Sequence, residues 1–242
     1  MKFTERLHAL HRFWRYRLRQ DRHELAFARQ QVAPGQTVLD IGANRGAYTY
    51  WLSKAVGPSG SVYAFEPQPE LARYIENSAR AFRLSNVKVI NKALSFENGE
   101  VQLYRPDCHP LGGASLEEFP DYPGTYMPVT AQRLDDFVAQ TPDLPRPISF
   151  IKCDVQDHEL RVLQGGERIL QEDRPTLLLE CMPNRWEALS RYLDSINYLG
   201  TNVVVNHRLY RLDDPAWKRD YKEILGNFFF FHHSRAASRQ AA

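Results

Sequence analysis

The chain has 242 residues, of which 43% are hydrophobic, enough to bury the core of one sizeable domain. Lysine and arginine total 31 against 29 aspartates and glutamates, so the formal net charge is only +2 and argues against a general polyanion binder. No apolar run is long enough to span a bilayer, and we expect no signal peptide. The odd set Cys108, Cys153 and Cys181 lacks zinc-site spacing, favours a reducing compartment and predicts a cytoplasmic protein.

Residues 1–33 predict an amphipathic, basic N-terminal helix. Its apolar positions recur at spacings of three and four, at Phe3, Leu7, Leu10, Trp14 and Leu18. Residues 1–31 also hold one lysine and seven arginines against three acids. We expect the apolar stripe to be buried against the core and the basic face to be solvated. The alternative is weak contact with an anionic membrane or a polyanionic substrate.

A single domain is predicted over residues 34–233, where strand and helix patterns alternate. The predicted elements are strand 37–41, helix 46–56, strand 61–66, helix 69–83, strand 87–91, strand 148–153, helix 158–171, strand 175–181 and helix 184–197. This alternation implies a mostly parallel sheet with helices on both faces. Segments 202–212 and 227–232 are expected to form an antiparallel C-terminal edge, and the tail 234–242 to be disordered.

Residues 95–147 interrupt the alternation. Two short strands, 100–104 and 127–132, flank a long loop that is rich in proline, glycine and aromatic residues. Such loops in compact domains are usually functional, and aromatic faces stack on sugar rings. We interpret the insertion as an acceptor lid, with His109, Ser115 and Tyr122 as candidate substrate contacts. A surface loop whose aromatics fill a satellite core is the alternative.

The run from Val38 to Gly46 predicts a strand, a glycine turn and the start of a helix. Gly42 and Gly46 allow a tight turn and close approach to a ligand at the carboxyl ends of the strands. Their spacing is not G-x-G-x-x-G, and Asp40 would repel a pyrophosphate. An acid here suits a cationic amine, so the pattern favours S-adenosylmethionine over NAD. Asp40 could otherwise belong to an ordinary strand-to-turn joint.

A second acid, Glu66, ends the strand that begins at Ser61. It lies about 20 residues beyond the glycine turn, where nucleotide-binding βαβ units hold ribose hydroxyls. A simple cap on the following helix is the alternative.

Four sequence blocks then occur in the order of FkbM-type methyltransferases: 38–46, 64–67, 91–95 and 151–159, the last followed by Val162–Gly166. The chain resembles this family over roughly residues 34–185. The resemblance implies an α/β, Rossmann-like class I methyltransferase fold with a seven-stranded, mostly parallel sheet. It also implies S-adenosylmethionine as cofactor and O-methylation of a hydroxyl, often on a sugar or natural product. One departure is Asp157, which stands where the family's pattern has glycine.

By this resemblance, Asp40 and Gly42 line the cofactor, Asn44 steadies the turn and Glu66 holds the ribose. With Gly46, Ala93 near the adenine and Asp154 near the reacting methyl, these residues form the predicted cofactor site.

Transfer to a neutral hydroxyl is helped by a base, and the candidates are Asp154 and His158. His158 has the more suitable pKa, whereas Asp154 follows a strand at the cleft edge. Asp154 could instead be an acid that stabilises the N-terminus of the next helix, and His158 could instead be an exposed histidine. Glu159 and Glu180 are candidate substrate contacts. Asp154, Asp157 and Glu180 could bind Mg²⁺, but we predict no metal.

Two other functions compete with an O-methyltransferase. One is a non-catalytic cofactor-binding or scaffold protein of the same fold, prompted by Asp157. The other is a nucleic-acid methyltransferase, prompted by the basic arm but disfavoured by the near-neutral charge and by the absence of an Asn-Pro-Pro-Tyr-type motif. We therefore expect a small-molecule or glycan acceptor and not a nucleic acid. Specificity would reside in loop 105–126, and the oligomeric state is open.

Overall fold

A computed structural model of the chain describes residues 1–107, 113–117, 123–222 and 225–234. Its strands are β1 Thr37–Ile41, β2 Ser61–Phe65, β3 Val87–Ile90, β4 Ala93–Leu94, β5 Gly99–Pro106, β6 Gly124–Gln132, β7 Ile148–Cys153, β8 Thr176–Cys181, β9 Tyr198–Val205, β10 Arg208–Arg211 and β11 Gly226–His232. Its helices are α1 Phe3–Arg15, a π-helical turn Tyr16–Gln20, α2 Arg22–Gln31, α3 Ala47–Val56, α4 Pro69–Ala81, α5 Leu134–Ala139, α6 Glu159–Gly165, α7 Glu167–Asp173, α8 Trp186–Ser195 and α9 Trp217–Asp220.

The main sheet has the strand order β10-β9-β11-β8-β7-β1-β2-β3. The five strands from β8 to β3 are parallel, while β11, β9 and β10 are antiparallel, so the mostly parallel sheet with an antiparallel C-terminal edge is confirmed. The predicted number of seven strands is wrong, because segment 202–212 folds as a hairpin. Asn206 and His207 both have positive φ, which matches the right-handed twist of a tight hairpin turn.

The insertion forms a second sheet, in the order β4-β6-β5. Strands β5 and β6 are longer than predicted, since Tyr104 and Tyr126 pair across them and their rings lie 5.3 Å apart. Ser115 exchanges two backbone hydrogen bonds with Tyr104, at 2.8 and 3.0 Å, which holds the middle of the loop against β5. The candidate substrate contacts His109 and Tyr122 lie outside the described residues.

The predicted helix 158–171 is two helices, α6 and α7. The break falls at Gly165 and Gly166, where the chain passes close to its neighbours. A Cβ atom on Gly165 would lie 2.0 Å from the backbone oxygen of Ser95, and one on Gly166 would lie 2.8 Å from Leu134. These contacts fix α6 against the second sheet and place its first residues at the edge of the main sheet.

The arm, residues 1–31, packs on α3 with a face that the sequence did not predict. Phe3, Leu7, Trp14 and Leu18 are 74, 50, 42 and 62% exposed, so the prediction of a buried stripe is wrong. Ala9 and Phe13 are buried instead. The Phe13 ring stacks on Tyr50 with centroids 4.6 Å apart, and the Phe13 carbonyl accepts a hydrogen bond of 2.9 Å from the Trp51 indole. These aromatic partners on α3 determine which face of α1 turns inward.

Within the described ranges, no helix combines the length and the apolar character that crossing a bilayer requires.

Candidate functional site

A cleft of about 560 Å³ lies at the carboxyl ends of β1, β2, β7 and β8. This volume falls within the range of small-molecule and cofactor sites. The arm forms one wall and residues 114–116 form another. Ligands of open α/β sheets bind at this edge.

The glycine turn forms part of the floor of the cleft. Gly42 has φ +76° and Asn44 has φ +51°, so the chain bends through two left-handed positions. The Glu66 carboxylate accepts hydrogen bonds from the backbone N–H groups of Asn44, at 2.8 Å, and Gln68, at 3.0 Å. The end of β2 is thereby tied to the turn that follows β1.

Glu66 and Gln68 present polar atoms that suit a nucleoside. Burial raises the pKa of Glu66 to about 7, and the Oε1 atom of Gln68 is buried without a hydrogen-bond partner. A buried acceptor without a donor is costly, and ribose hydroxyls or an adenine amine would supply donors. Ala93, at the start of β4, lines the same cleft. The residues present therefore fit the nucleoside of S-adenosylmethionine.

Lys152 connects three predicted cofactor residues. Its Nζ lies 3.1 Å from Asp154 Oδ2 and 3.7 Å from Asp40 Oδ1, and it donates a hydrogen bond of 3.0 Å to the Gly42 carbonyl. Burial alone would lower the pKa of Lys152, but Asp154 and Asp40 outweigh it and raise that pKa above its ordinary value. Asp40 is fully buried, accepts a 2.5 Å hydrogen bond from Thr49, and lies behind the cleft wall. The structure shows Asp40 as a buried partner of Lys152 and Thr49, and its implied role as a cofactor contact stays a prediction.

Asp154, Gln156 and Glu180 form a hydrogen-bonded group beside Lys152. The Gln156 amide donates to Glu180 at 2.7 Å and to Asp154 at 3.2 Å. Burial, and then the charge of Asp154, raise the pKa of Glu180 well above its ordinary value. The pKa of Asp154 is lowered because Lys152 and a hydrogen bond from Glu180 outweigh its burial. These opposite shifts favour the ionised form of Asp154 and the protonated form of Glu180.

His158 also lines the cleft, and both of its ring nitrogens have partners. Nδ1 lies 2.7 Å from Glu117 Oε1, and Nε2 lies 2.9 Å from Ser95 Oγ. Because Glu117 only accepts, the proton belongs on Nδ1, and Nε2 is the accepting atom. Burial lowers the pKa of His158, so the ring is neutral at pH 7. The alternative of an exposed histidine is excluded, since His158 is 6% exposed.

The turn between β7 and α6 passes through two left-handed positions, a conformation that favours glycine. Asp157 has φ +75° and Gln156 has φ +56°. Ser115 donates its hydroxyl to the Gln156 carbonyl, which links the insertion to this turn. Glu159 accepts a 2.8 Å hydrogen bond from the Val155 N–H, and burial raises its pKa to about 8. Glu159 is buried and does not line the cleft, and its role as a substrate contact stays a prediction.

The structure brings most of the predicted site residues together around one cleft: Gly42, Asn44, Glu66, Ala93, Ser115, Asp154, His158 and Glu180. Asp40, Gly46 and Glu159 lie behind its wall. The sequence did not predict the role of Lys152, although a lysine inside an apolar strand is an unusual feature. It also did not predict the residues of the arm that line the cleft: Arg12, Arg15, Tyr16, Gln20 and Asp21. Among the described residues, no three histidine, cysteine or acidic side chains are grouped to hold a metal ion.

The sequence profile of the methyltransferase FkbM domain matches residues 40–212. The chain belongs to the FkbM methyltransferase family. Members of this family are S-adenosylmethionine-dependent methyltransferases, and the Rossmann-like fold and the cleft agree with that assignment.

Two curated relatives differ in their acceptors. Hexuronic acid methyltransferase AglP of Haloferax volcanii is 27% identical over 173 residues, covering 70% of this chain and 66% of that protein. The tRNA (adenine(58)-N(1))-methyltransferase TrmI of Thermus thermophilus is 26% identical over 142 residues, covering 58% of this chain and 51% of that protein. The chain thus spans between half and two thirds of the length of these relatives.

Solved structures share the fold. The FkbM methyltransferase of Methylobacillus flagellatus has a TM-score of 0.53 at 15% identity, covering 95% of this chain and 56% of that one. The O-methyltransferase of Bacillus cereus, solved with S-adenosylhomocysteine, has a TM-score of 0.53 at 13% identity, covering 96% and 92%.

Proposed function

We propose that this FkbM family member transfers a methyl group from S-adenosylmethionine to a hydroxyl of a sugar, glycan or natural-product acceptor. The observation that carries the proposal is a neutral His158 in the cleft wall, oriented by Glu117. A neutral imidazole whose Nδ1 is oriented by a carboxylate and whose Nε2 accepts a hydrogen bond suits the removal of a hydroxyl proton. The similarity to a hexuronic acid methyltransferase supports a sugar acceptor.

When bound, the cofactor supplies an electrophilic methyl group on a sulfonium. The chain holds its nucleoside through Glu66 and Gln68, and positions its charged end near Asp154, whose own charge Lys152 fixes in place. Much of the catalysis comes from this positioning, which aligns the acceptor oxygen with the methyl group.

His158 accepts the hydroxyl proton at Nε2. In the structure that atom accepts a hydrogen bond from Ser95 Oγ, which the acceptor hydroxyl must displace in order to donate there. The proton on Nδ1 stays between His158 and Glu117, whose carboxylate stabilises the imidazolium that forms. We propose Asp154 as a cofactor contact and His158 as the catalytic base, with Ser115 and Glu180 beside the acceptor.

The test compares glycans and small metabolites by mass spectrometry in cells with the gene, without it, and with His158→Gln. An acceptor heavier by one methyl only with the wild-type gene supports the function. Purified protein is then assayed with radiolabelled S-adenosylmethionine on that acceptor and on transfer RNA. Transfer to RNA would favour the nucleic-acid function, and cofactor binding without transfer to either would favour the scaffold.

The arm suggests a second contact, with an anionic membrane. Its exposed stripe, Phe3, Leu7, Trp14 and Leu18, lies on an arginine-rich segment, and the Arg17 guanidinium sits over the Trp14 ring at 5.1 Å. Apolar side chains bordered by arginines are typical of helices that lie in the headgroup region.

We propose a cytoplasmic site of action, since Cys153 and Cys181 are free thiols.

A further inference from the structure

The arm does more than cover α3, because its inner face closes the cleft. Arg12 and Arg15 line the cleft from one side, and Arg45 lines it from the glycine turn. Residues 1–31 lie outside the segment that matches the family, so these arm residues are a feature of this chain beyond the family's shared domain.

Arg12 is held in the cleft wall without a counter-ion. Its Nη1 atom is buried and has no hydrogen-bond partner, and its guanidinium lies 5.8 Å from the centre of the Tyr74 ring. Burial lowers the pKa of Arg12, and the nearby charges of Arg45 and Arg15 lower it further. The ion pairs of the described residues include none of these three arginines.

The acids of the cleft do not balance this charge. Glu66 accepts from two backbone N–H groups and Asp154 is paired with Lys152, while burial raises the pKa of Asp21 to about 6 and that of Glu180 well above its ordinary value. The side chains whose charges shift the pKa of Arg12 most are arginines and tyrosines, and none of these four acids. A partly buried guanidinium beside two other arginines is unfavourable unless a ligand supplies negative charge. Arg45 also precedes α3, whose N-terminal N–H groups favour an anion.

We propose that Arg12 and Arg45 form a carboxylate-binding subsite, which the N-terminal arm completes. The inference rests on the proposed function, because the carboxylate has two possible sources in that reaction. It belongs either to the amino-acid end of S-adenosylmethionine or to an acidic sugar acceptor. The planar fork of a guanidinium matches a carboxylate through two parallel hydrogen bonds.

Calorimetry distinguishes the cofactor source. The variants are Arg12→Gln and Arg45→Gln, and the control is Arg19→Gln, an exposed arginine on the same arm and outside the cleft. The probes are S-adenosylhomocysteine and its decarboxylated form. If the subsite holds the cofactor carboxylate, wild type prefers the first probe by about tenfold or more. Arg12→Gln and Arg45→Gln then lose that preference, while Arg19→Gln keeps it.

The acceptor source is tested on protein saturated with S-adenosylhomocysteine, by saturation-transfer NMR with D-glucuronate and D-glucose. If the acceptor supplies the carboxylate, wild type and Arg19→Gln favour glucuronate, and the two cleft variants do not. Arg12→Lys retains the charge and should recover part of the effect. The subsite is overturned if all three glutamine variants match wild type in both experiments. Wild type that bound neither nucleoside would overturn the proposed function as well.

Discussion

The backbones of Gly42 and Asp154 are in direct contact. A Cβ atom on Gly42 would lie 1.8 Å from the carbonyl oxygen of Asp154, and the Asp154 N–H donates a 3.1 Å hydrogen bond to the Ile41 carbonyl. The turn that follows β1 therefore packs directly on the end of β7. Two segments that are more than 100 residues apart share one backbone contact at the floor of the cleft.

This contact predicts a large penalty for Gly42→Ala. The matched control is Gly57→Ala, because Gly57 also has a positive φ, of +67°, but no atom lies within 4 Å of its would-be Cβ. The control, with φ +67° and ψ −177°, should lose about 1–3 kcal/mol of unfolding free energy from its backbone conformation alone. Gly42→Ala should lose more than about 3 kcal/mol, since backbone must move. Equal losses by urea denaturation would contradict the close contact.

Glu66 predicts a pH dependence of cofactor binding. Burial raises its pKa to about 7, and the ionised carboxylate is the better acceptor for ribose hydroxyls. The affinity for S-adenosylhomocysteine should therefore rise from pH 6 to pH 8 in wild type. Glu66→Gln should bind more weakly and show a smaller rise, with little change in the rate at saturating cofactor. Calorimetry at three pH values checks this, and an unchanged affinity would remove Glu66 from the site.

The pKa of His158 predicts how kcat falls at acidic pH. Burial lowers its pKa below the ordinary 6.5, so the base form is complete at neutral pH and is lost only as the pH falls below that value. We expect kcat to rise with pH through a midpoint below 6.5 and then to level off. His158→Gln should lose about 10²-fold or more in kcat while retaining cofactor affinity. The control is His8→Gln, an exposed histidine of the arm, and a midpoint above 7 would argue against His158.

Glu159 predicts a loss of stability as the pH rises from about 5 to about 8. Burial raises its pKa to about 8 from 4.5, so the folded protein holds a proton that the unfolded chain releases. This contribution is fully present below pH 4.5 and is lost as the pH rises through 8, at up to about 1.4 kcal/mol per pH unit. Glu159→Gln should flatten the decline in unfolding free energy between pH 5 and 8, relative to wild type. The exposed Glu76→Gln should leave the decline unchanged.

The buried and exposed faces of the N-terminal arm predict opposite results on stability and membrane binding. Phe13→Ala should cost about 3–5 kcal/mol, because the ring is buried on Tyr50. The double variant Leu7→Gln, Leu18→Gln should change stability by less than about 1 kcal/mol, since both side chains are exposed. Wild type should co-sediment with phosphatidylglycerol vesicles, whereas the double variant should stay in the supernatant. Equal binding of both would reject the membrane contact.

The parallel core of the fold was predictable because its signals are local. Apolar runs such as Val38–Ile41, each followed by a glycine or an acid, indicate buried strands and the edge at which ligands bind. The hairpin at Asn206 and His207 escaped prediction because neither residue is glycine, although both adopt positive φ.

The site was predictable only where residue type and position coincide, as at Glu66 and His158. Asp40, near the end of β1, and Glu159, at the start of α6, have the right chemistry, yet each is buried and accepts a hydrogen bond from a local donor, Thr49 and the Val155 N–H respectively. The face that α1 buries depends on aromatic partners distributed over α3 and α4, and helical periodicity alone does not encode them.

The position of β11 in the sheet decides how the chain can be divided. It lies between β8 and β9, although in sequence it follows residue 212, where the family match ends. A fragment of residues 40–212 would lack β11, so β8 and β9 would lose the strand that pairs with both of them. It would also lack Arg12 and Tyr16 at the cleft. The smallest transplantable module of this protein therefore runs from α1 to β11, and chimeras with relatives are best joined outside those limits.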